Sequence, residues 1–191
     1  IHHRVKNNLQ TVSALLRLQS RRSSEDAVKV ALAEAERRVQ AIATVHAALS
    51  QNVDESVDFD EVARTIVRMA GAIASTDHSV EVITTGSFGT IQADQAQALA
   101  TVLNELVANS VEHGLAERDG LIEVRAVREG NSMTVTVADD GVGFVPGTPM
   151  SGLGTQIVHQ MVRGELKGSI EWAPREGGGT LVTLHANLDP A

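Results

Sequence analysis

Val137-Ala138-Asp139-Asp140-Gly141-Val142-Gly143-Phe144 carries a short apolar strand straight into Asp-x-Gly-x-Gly. A carboxylate at a strand end is a fixed acceptor. The glycines beyond it let backbone approach a flat ligand without a Cβ clash. That chemistry suits an exocyclic amine such as that of adenine. Taken alone, the segment is equally consistent with a hairpin turn, because Asp-Gly is a common turn pair. The segments on either side decide between the two.

Upstream, Asn104-Glu105-Leu106-Val107-Ala108-Asn109-Ser110-Val111-Glu112-His113 has helical spacing. Glu105, Asn109 and His113 stand at i, i+4 and i+8 and share a face, while Leu103, Leu106, Val107 and Val111 point to a sheet. Carboxylate, carboxamide and imidazole together suit Mg²⁺ with its waters and phosphates. A solvated helix face fits this segment equally well in isolation. Downstream, Ser151-Gly152-Leu153-Gly154-Thr155 leads glycine-rich backbone into an amphipathic helix bearing Ile157, Val158, Met161 and Val162. Such a junction presents free N–H groups to phosphates, although a plain loop-to-helix cap is the simpler reading of it alone. Gly177-Gly178-Gly179-Thr180 precedes the last strand and by itself reads as a flexible turn.

The remaining pattern is mixed α/β from residue 60 onward. Residues 60–74, 93–113 and 153–162 have helical spacing, the second ended by Gly114. Residues 79–85, 121–127, 132–138, 169–173 and 180–186 read as strands. Two layers are expected: a mostly antiparallel sheet with helices on one face. Residues 51–58 are polar and read as a linker. Before them, Val5, Leu9, Val12 and Leu16, widened by Leu15 and Leu18, form one apolar stripe. Val28, Leu32, Ala35, Val39, Ile42, His46 and Leu49 form another at heptad spacing. Arg21-Arg22-Ser23-Ser24 separates the two helices of this hairpin. It is too short to bury both stripes alone, so pairing with a second copy into a four-helix bundle is expected.

Composition excludes several function classes. In 191 residues the net charge is -8, which argues against general affinity for nucleic acid or acidic membranes. Aromatic residues make up 2%, too few for a stacking platform on single strands. With no cysteine there is no disulfide, thiolate metal site or cysteine nucleophile. No apolar run reaches the roughly 18 residues of a membrane span. The chain starts without Met and inside a helical pattern, and it reads as a fragment whose upstream part is missing.

The order of the four motifs is more specific than any one of them. Glu-x-x-x-Asn on a helix, Asp-x-Gly-x-Gly after a strand, Gly-x-Gly onto a helix and Gly-Gly-x-Thr into a strand follow in series over about 80 residues. Over about residues 55–188 this resembles the ATP-binding fold of gyrase-type ATPases, Hsp90-type chaperones, MutL-type repair proteins and histidine kinases. There is no Gly-x-x-x-x-Gly-Lys-Ser/Thr, so a P-loop is not the phosphate-binding device.

The first helix separates these families. Ile1-His2-His3-Arg4-Val5-Lys6-Asn7-Asn8-Leu9-Gln10 resembles the H-box of the HisKA_2 and HWE histidine kinases, His-Arg-x-x-Asn. With Leu15-Leu16-Arg17-Leu18-Gln19 after it, the string is similar to actinobacterial soluble sensor kinases that signal to ANTAR-type response regulators. With Val5 at the centre of the stripe, His2 lies about 60° and His3 about 160° from it at roughly 100° per residue. His3 is therefore the solvated one, with Asn7 one turn along on the same side, and His3 is also the one followed by Arg.

The resemblance implies a dimerisation and phosphoacceptor hairpin over residues 1–51 and an ATP-binding catalytic domain over 52–191. The fold class is then α+β, an α/β sandwich of the histidine kinase/Hsp90 type after the hairpin. His3 becomes the phosphoacceptor, with Asn7 beside it. Asn109 and Glu105 become the Mg²⁺ pair, with Glu105 as the alternative base. The nucleotide falls to Asp139, Gly141, Gly143, Gly152, Gly154, Thr180 and His113. ATP and Mg²⁺ are the implied cofactors. The implied partners are a second copy and a response-regulator receiver domain of the ANTAR type, with no direct nucleic acid, in the cytoplasm. Three features depart from the larger kinase group: basic Arg4 after His3, Glu112 where many kinases have Lys, and a short lid between Phe144 and Ser151. A protein-serine kinase or anti-sigma switch, or an ATP-binding scaffold, would use the same fold without needing the H-box.

Overall fold

Two kinds of apolar periodicity divide the chain, and two compact units follow from them, Ile1–Val53 and Asp54–Ala191. The computed structural model describes residues 2–49, 56–73, 78–116, 118–143 and 153–190. The side chains of residues 2–7, 34, 37–38, 41–42, 44–49, 70–73 and 153 lie outside that description. Among the described residues no helix is long and apolar enough to cross a membrane.

The first unit is a hairpin of α1 (His2–Arg22) and α2 (Asp26–Leu49). Its connection is tightened by Ser23, whose Oγ accepts the Glu25 N–H at 3.2 Å. The Lys29 N–H then donates to the Glu25 carbonyl at 3.1 Å and opens α2. Arg21 and Arg22 end α1, and Asp26 begins α2, each opposite in sign to its helix terminus.

The seam between the two helices takes up part of the expected stripes. Leu9, Ser13, Leu16 and Ser20 form the covered side of α1, and Lys29, Leu32, Glu36, Val39 and Ala43 that of α2. Val12, Leu15, Leu18 and Val28 stay exposed. Polar pairs inside the hairpin accompany the apolar contacts. Ser13 is buried and receives the Gln40 Nε2–H at 3.4 Å. Gln40 also reaches Glu36 at 3.3 Å, and Glu36 takes the Arg17 guanidinium. Ser20 Oγ donates to the Lys29 carbonyl at 3.4 Å.

In the second unit the order is β1 (Ser56–Asp58), α3 (Phe59–Ile73), β2 (Val80–Gly86), β3 (Thr90–Gln92) and α4 (Ala93–Asn109). Helix α4 continues into a π-helical turn (Ser110–Gly114), followed by β4 (Gly120–Glu129), β5 (Ser132–Asp139), α5 (Leu153–Gly164), β6 (Ser169–Pro174) and β7 (Thr180–Asn187). Five strands make one sheet in the order β2-β4-β5-β7-β6, parallel only between β2 and β4. β1 and β3 pair separately and antiparallel. Residues 56–58 are thus strand and not linker. Val57 is buried opposite Ile91, and a three-residue strand is too short to display alternation.

One face of the large sheet builds the core. Ile122, Val124 and Ala126 on β4, Met133, Val135 and Val137 on β5, and Val182, Leu184 and Ala186 on β7 are buried at every second position. Val62 and Ile66 of α3, Leu99, Leu103 and Leu106 of α4, and Val158 and Val162 of α5 are buried as well. Each such side chain contributes about 1.5–3 kcal/mol. The opposite face carries Glu123, Arg125, Thr134, Thr136, Thr183 and His185, with Thr134 Oγ1 and His185 Nδ1 at 3.1 Å.

Two aspartates fix the start of α3. Asp58 Oδ1 accepts the Asp60 N–H at 3.1 Å, an N-cap. Asp60 accepts the Phe88 N–H and the Ser87 hydroxyl, both at 2.7 Å, and so ties the helix to the β2–β3 loop. Burial pushes the Asp60 carboxyl up, but the hydrogen bonds from Phe88, Ser87 and Gly89, aided by Arg64, hold it below its ordinary value. A lowered folded value means the contribution is present above the unfolded value of 3.8 and is lost as pH falls through the folded one. Asp60→Ala is expected to cost about 1–2 kcal/mol at neutral pH. Urea unfolding at pH 7 and at pH 3 checks this, with the gap between variant and parent shrinking at the lower pH.

Candidate functional site

Strand β5 ends in a buried carboxylate. Asp139 is 2% exposed and pairs in register with Ile122. Its Oδ1 accepts two backbone N–H groups, from Gly141 at 3.0 Å and from Thr180 at 3.2 Å. Asp140 continues the edge differently: its N–H donates to the Leu121 carbonyl at 3.2 Å, and its Oδ1 takes the Leu121 N–H at 2.8 Å. Adjacent aspartates thus do separate work, one facing the helices and one pinning β4.

The π-helical turn brings a third backbone segment to the same place. The Leu115 N–H donates to the Ser110 carbonyl at 2.9 Å, five residues back, and so widens the end of α4. Gly114 then lies against Asp139. A Cβ on it would stand 2.9 Å from Asp139 Oδ1. The Gly114 carbonyl accepts the Val142 N–H at 3.0 Å, and a Cβ on Gly141 would meet that carbonyl oxygen at 2.2 Å. The glycine at 141 is required by this approach of backbone to backbone.

The turn at 177–179 is built and not merely flexible. Its glycines have φ of 88°, 110° and 95°. The Arg175 N–H donates to the Gly179 carbonyl at 3.0 Å, and the Gly178 N–H to the Arg175 carbonyl at 3.1 Å. A Cβ on Gly179 would lie 1.9 Å from the Asp139 carbonyl oxygen. The structure therefore brings Asp139, Gly141, Gly143 and Thr180 together, with Gly114 and Gly179 as neighbours. A helix-ending glycine and a triple glycine were the only signals for those two.

The α4 residues differ among themselves. Glu105 is 2% exposed, Asn109 half-buried and His113 exposed. The π-helical turn Ser110–Gly114 follows Asn109 and carries His113. Asn104 is buried too, so this part of α4 is not a solvated face. Gly154, the second residue of α5, is buried beside buried Thr155. Gly152 lies outside the described residues. His3 and Asn7 sit one turn apart on α1, and their side chains lie outside the description. Among the described residues no group of three or more His, Asp or Glu gathers as a metal cage.

A carboxylate locked at a strand end, walled by glycine backbone and set beside a polar helix end, defines an ATP-binding fold without a P-loop. The family model for histidine kinase-, DNA gyrase B-, and HSP90-like ATPases matches residues 94–190, and a histidine kinase model matches residues 1–73. The chain belongs to this ATPase family, joined at its N-terminal side to histidine kinase sequence. It is 44% identical over 189 residues to the sensor histidine kinase PdtaS of Mycobacterium tuberculosis, covering 96% of this chain and 38% of that relative. It is 28% identical to blue-light-activated histidine kinase 2 of Erythrobacter litoralis, covering 98% of this chain and 56% of that one. The solved histidine kinase domain of the Erythrobacter litoralis EL346 blue-light activated kinase shares the fold, with a TM-score of 0.65 at 20% identity over 98% of this chain and 94% of that one.

The glycine contacts make a graded prediction. Gly178→Ala meets nothing within 4 Å and carries only the strain of its φ, about 1–2 kcal/mol. Gly179→Ala adds the collision with the Asp139 carbonyl and should lose at least about 2 kcal/mol more. Thermal melts of the two variants side by side test the order.

Proposed function

We propose that the chain is the catalytic core of a sensor histidine kinase, which phosphorylates its own His3 from ATP and passes the phosphoryl group to an aspartate of a response regulator. The observation that carries this is buried Asp139, held by two backbone N–H groups on Oδ1 and walled by glycine backbone. A carboxylate so fixed is an oriented acceptor for the adenine amine, with Gly141, Gly143 and Thr180 around it. Residues 1–51 serve as the dimerisation and phosphoacceptor unit, and 52–191 as the catalytic unit.

In the first step the neutral imidazole of His3 attacks the γ-phosphorus. The N–P bond forms as the P–O bond to ADP breaks, and ADP leaves with that electron pair. The imidazole proton passes to a base. In the second step a carboxylate oxygen of the regulator's aspartate attacks the phosphorus and forms the acyl phosphate; the N–P electron pair returns to the imidazole, which takes a proton back and is again neutral. Positioning and charge neutralisation supply most of the rate.

Mg²⁺ supplies charge neutralisation on the phosphates. Half-buried Asn109 and the carboxylate of Glu105 one turn earlier are the residues that would hold it. One or two protein oxygens suit an ion that keeps its waters and leans on phosphates. Glu105 orients those waters or accepts the His3 proton; its burial favours the orienting role. Gly152 and Gly154 support the phosphate-facing lid, His113 borders the nucleotide, and Asn7 stays beside His3.

The exposed Val12, Leu15, Leu18 and Val28 support pairing of two hairpins into a homodimer through a four-helix bundle. The regulator is proposed to be of the ANTAR type and the setting cytoplasmic.

Incubation with γ-labelled ATP and Mg²⁺ tests the reading. The expected label is acid-labile and base-stable, is kept in His2→Gln and is abolished in His3→Gln. Loss only in His2→Gln would move the acceptor by one residue. An acid-stable label points to the serine-kinase alternative, and ADP binding with no label in any chain to a binding scaffold.

A further inference from the structure

Arg175 opens the five-residue connection between β6 and β7, the connection that contains the three glycines. Glycine loses more conformational freedom on ordering than any other residue, so a turn with three of them at positive φ needs an anchor. Its two internal hydrogen bonds close the turn on itself but do not attach it to the rest of the sheet. The Arg175 side chain does. Its Nη2 donates to the carboxylate of Glu123 on β4, 52 residues away in sequence.

The path of that contact matters. Ala173, Leu181, Ala138 and Glu123 stand in one transverse row, read off the register of β6, β7, β5 and β4. Ala138 lies on the face opposite the helices, yet it is only 9% exposed. To reach Glu123, Arg175 crosses the back of the sheet at this row, and Ala138 directly precedes Asp139. The guanidinium is drawn well out of water: its side chain is 27% exposed, against 46% for Glu123, and Nη1 is buried with no partner among the described residues. A charge-assisted bond in that setting is stronger than an exposed ion pair.

We infer that Arg175 is a positioning residue of the nucleotide site, its ion pair with Glu123 clamping the glycine turn and the end of β5 so that Thr180 and Gly179 stay seated on Asp139. Neither Arg175 nor Glu123 faces the ligand; both act from behind the sheet. The inference rests on the proposed adenine-nucleotide reading of the Asp139 site.

The test uses the full 191-residue chain with Arg175→Ala, Glu123→Gln and the double variant. ADP titration and amide hydrogen exchange without nucleotide are the two readouts. Each single variant is expected to raise the ADP Kd about fivefold to tenfold. Each should also speed exchange of the Thr180 amide at least about tenfold while the amides paired between β4 and β5 keep their protection. The double variant should be no worse than the singles, since both remove one contact.

An ADP Kd within twofold of the parent, additive effects in the double variant, or equal acceleration of all sheet amides would each overturn the inference. The last of these marks plain destabilisation. If Arg175→Ala does not fold, the milder Glu123→Gln decides by the same criteria. A parent chain that binds no ADP sinks the nucleotide reading instead, and the Thr180 exchange rate then decides the clamp alone.

Discussion

A single carboxylate oxygen, Asp139 Oδ1, holds together parts of the second unit that are distant in sequence. It receives N–H groups from the loop that follows it and from the start of β7, and it lies against the glycine that ends the π-helical turn. Placing a carboxylate at 2% exposure is costly unless its charge meets donors. Backbone N–H groups are the cheapest donors available, because they bring no charge of their own to be desolvated and no side-chain freedom to be frozen. The cost is moved onto the chain around it. Segments that deliver backbone this close cannot carry a Cβ, so the site is surrounded by glycine at 114, 141, 143 and 179.

This constraint explains which parts of the site were legible. Asp139, Gly141 and Gly143 are contiguous, and a strand running into Asp-x-Gly-x-Gly states their function locally. Gly179 and Gly114 act only by contact with that segment. A run of three glycines reads as freedom when no partner is in view, whereas φ of 88°, 110° and 95° with a carbonyl 1.9 Å from the missing Cβ of Gly179 is a fixed conformation. Helix α4 shows the same limit. Spacing at i, i+4 and i+8 gives no sign of the widened turn after Asn109, which brings Gly114 against Asp139, nor of the range of burial from Glu105 at 2% to exposed His113. The sheet was legible because alternating burial is a local signal, and β4, β5 and β7 carry it over eight or more residues each.

The hairpin was read as two helices with apolar stripes too wide for one copy to cover, and the polar contacts between them were not read. Periodicity locates an apolar stripe but not the object it faces. Here the covered side holds Leu9, Leu16, Leu32 and Val39 together with polar contacts of Ser13, Ser20, Glu36 and Gln40, while Val12, Leu15, Leu18 and Val28 look outward. A polar seam contributes little to stability, since each of its hydrogen bonds is worth about 0.5–1.5 kcal/mol net.

That division of labour differs between the units and fits what each is asked to do. The second unit buries its own core and spends its polar contacts on holding one carboxylate still. The first covers part of its apolar stripes and adds polar contacts between its two helices, and it leaves Val12, Leu15, Leu18 and Val28 exposed. Under the proposed pairing of two hairpins, the exposed Val12, Leu15, Leu18 and Val28 would supply apolar area to the interface, while Leu9, Leu16, Leu32 and Val39 with the polar contacts hold the two helices of one hairpin together.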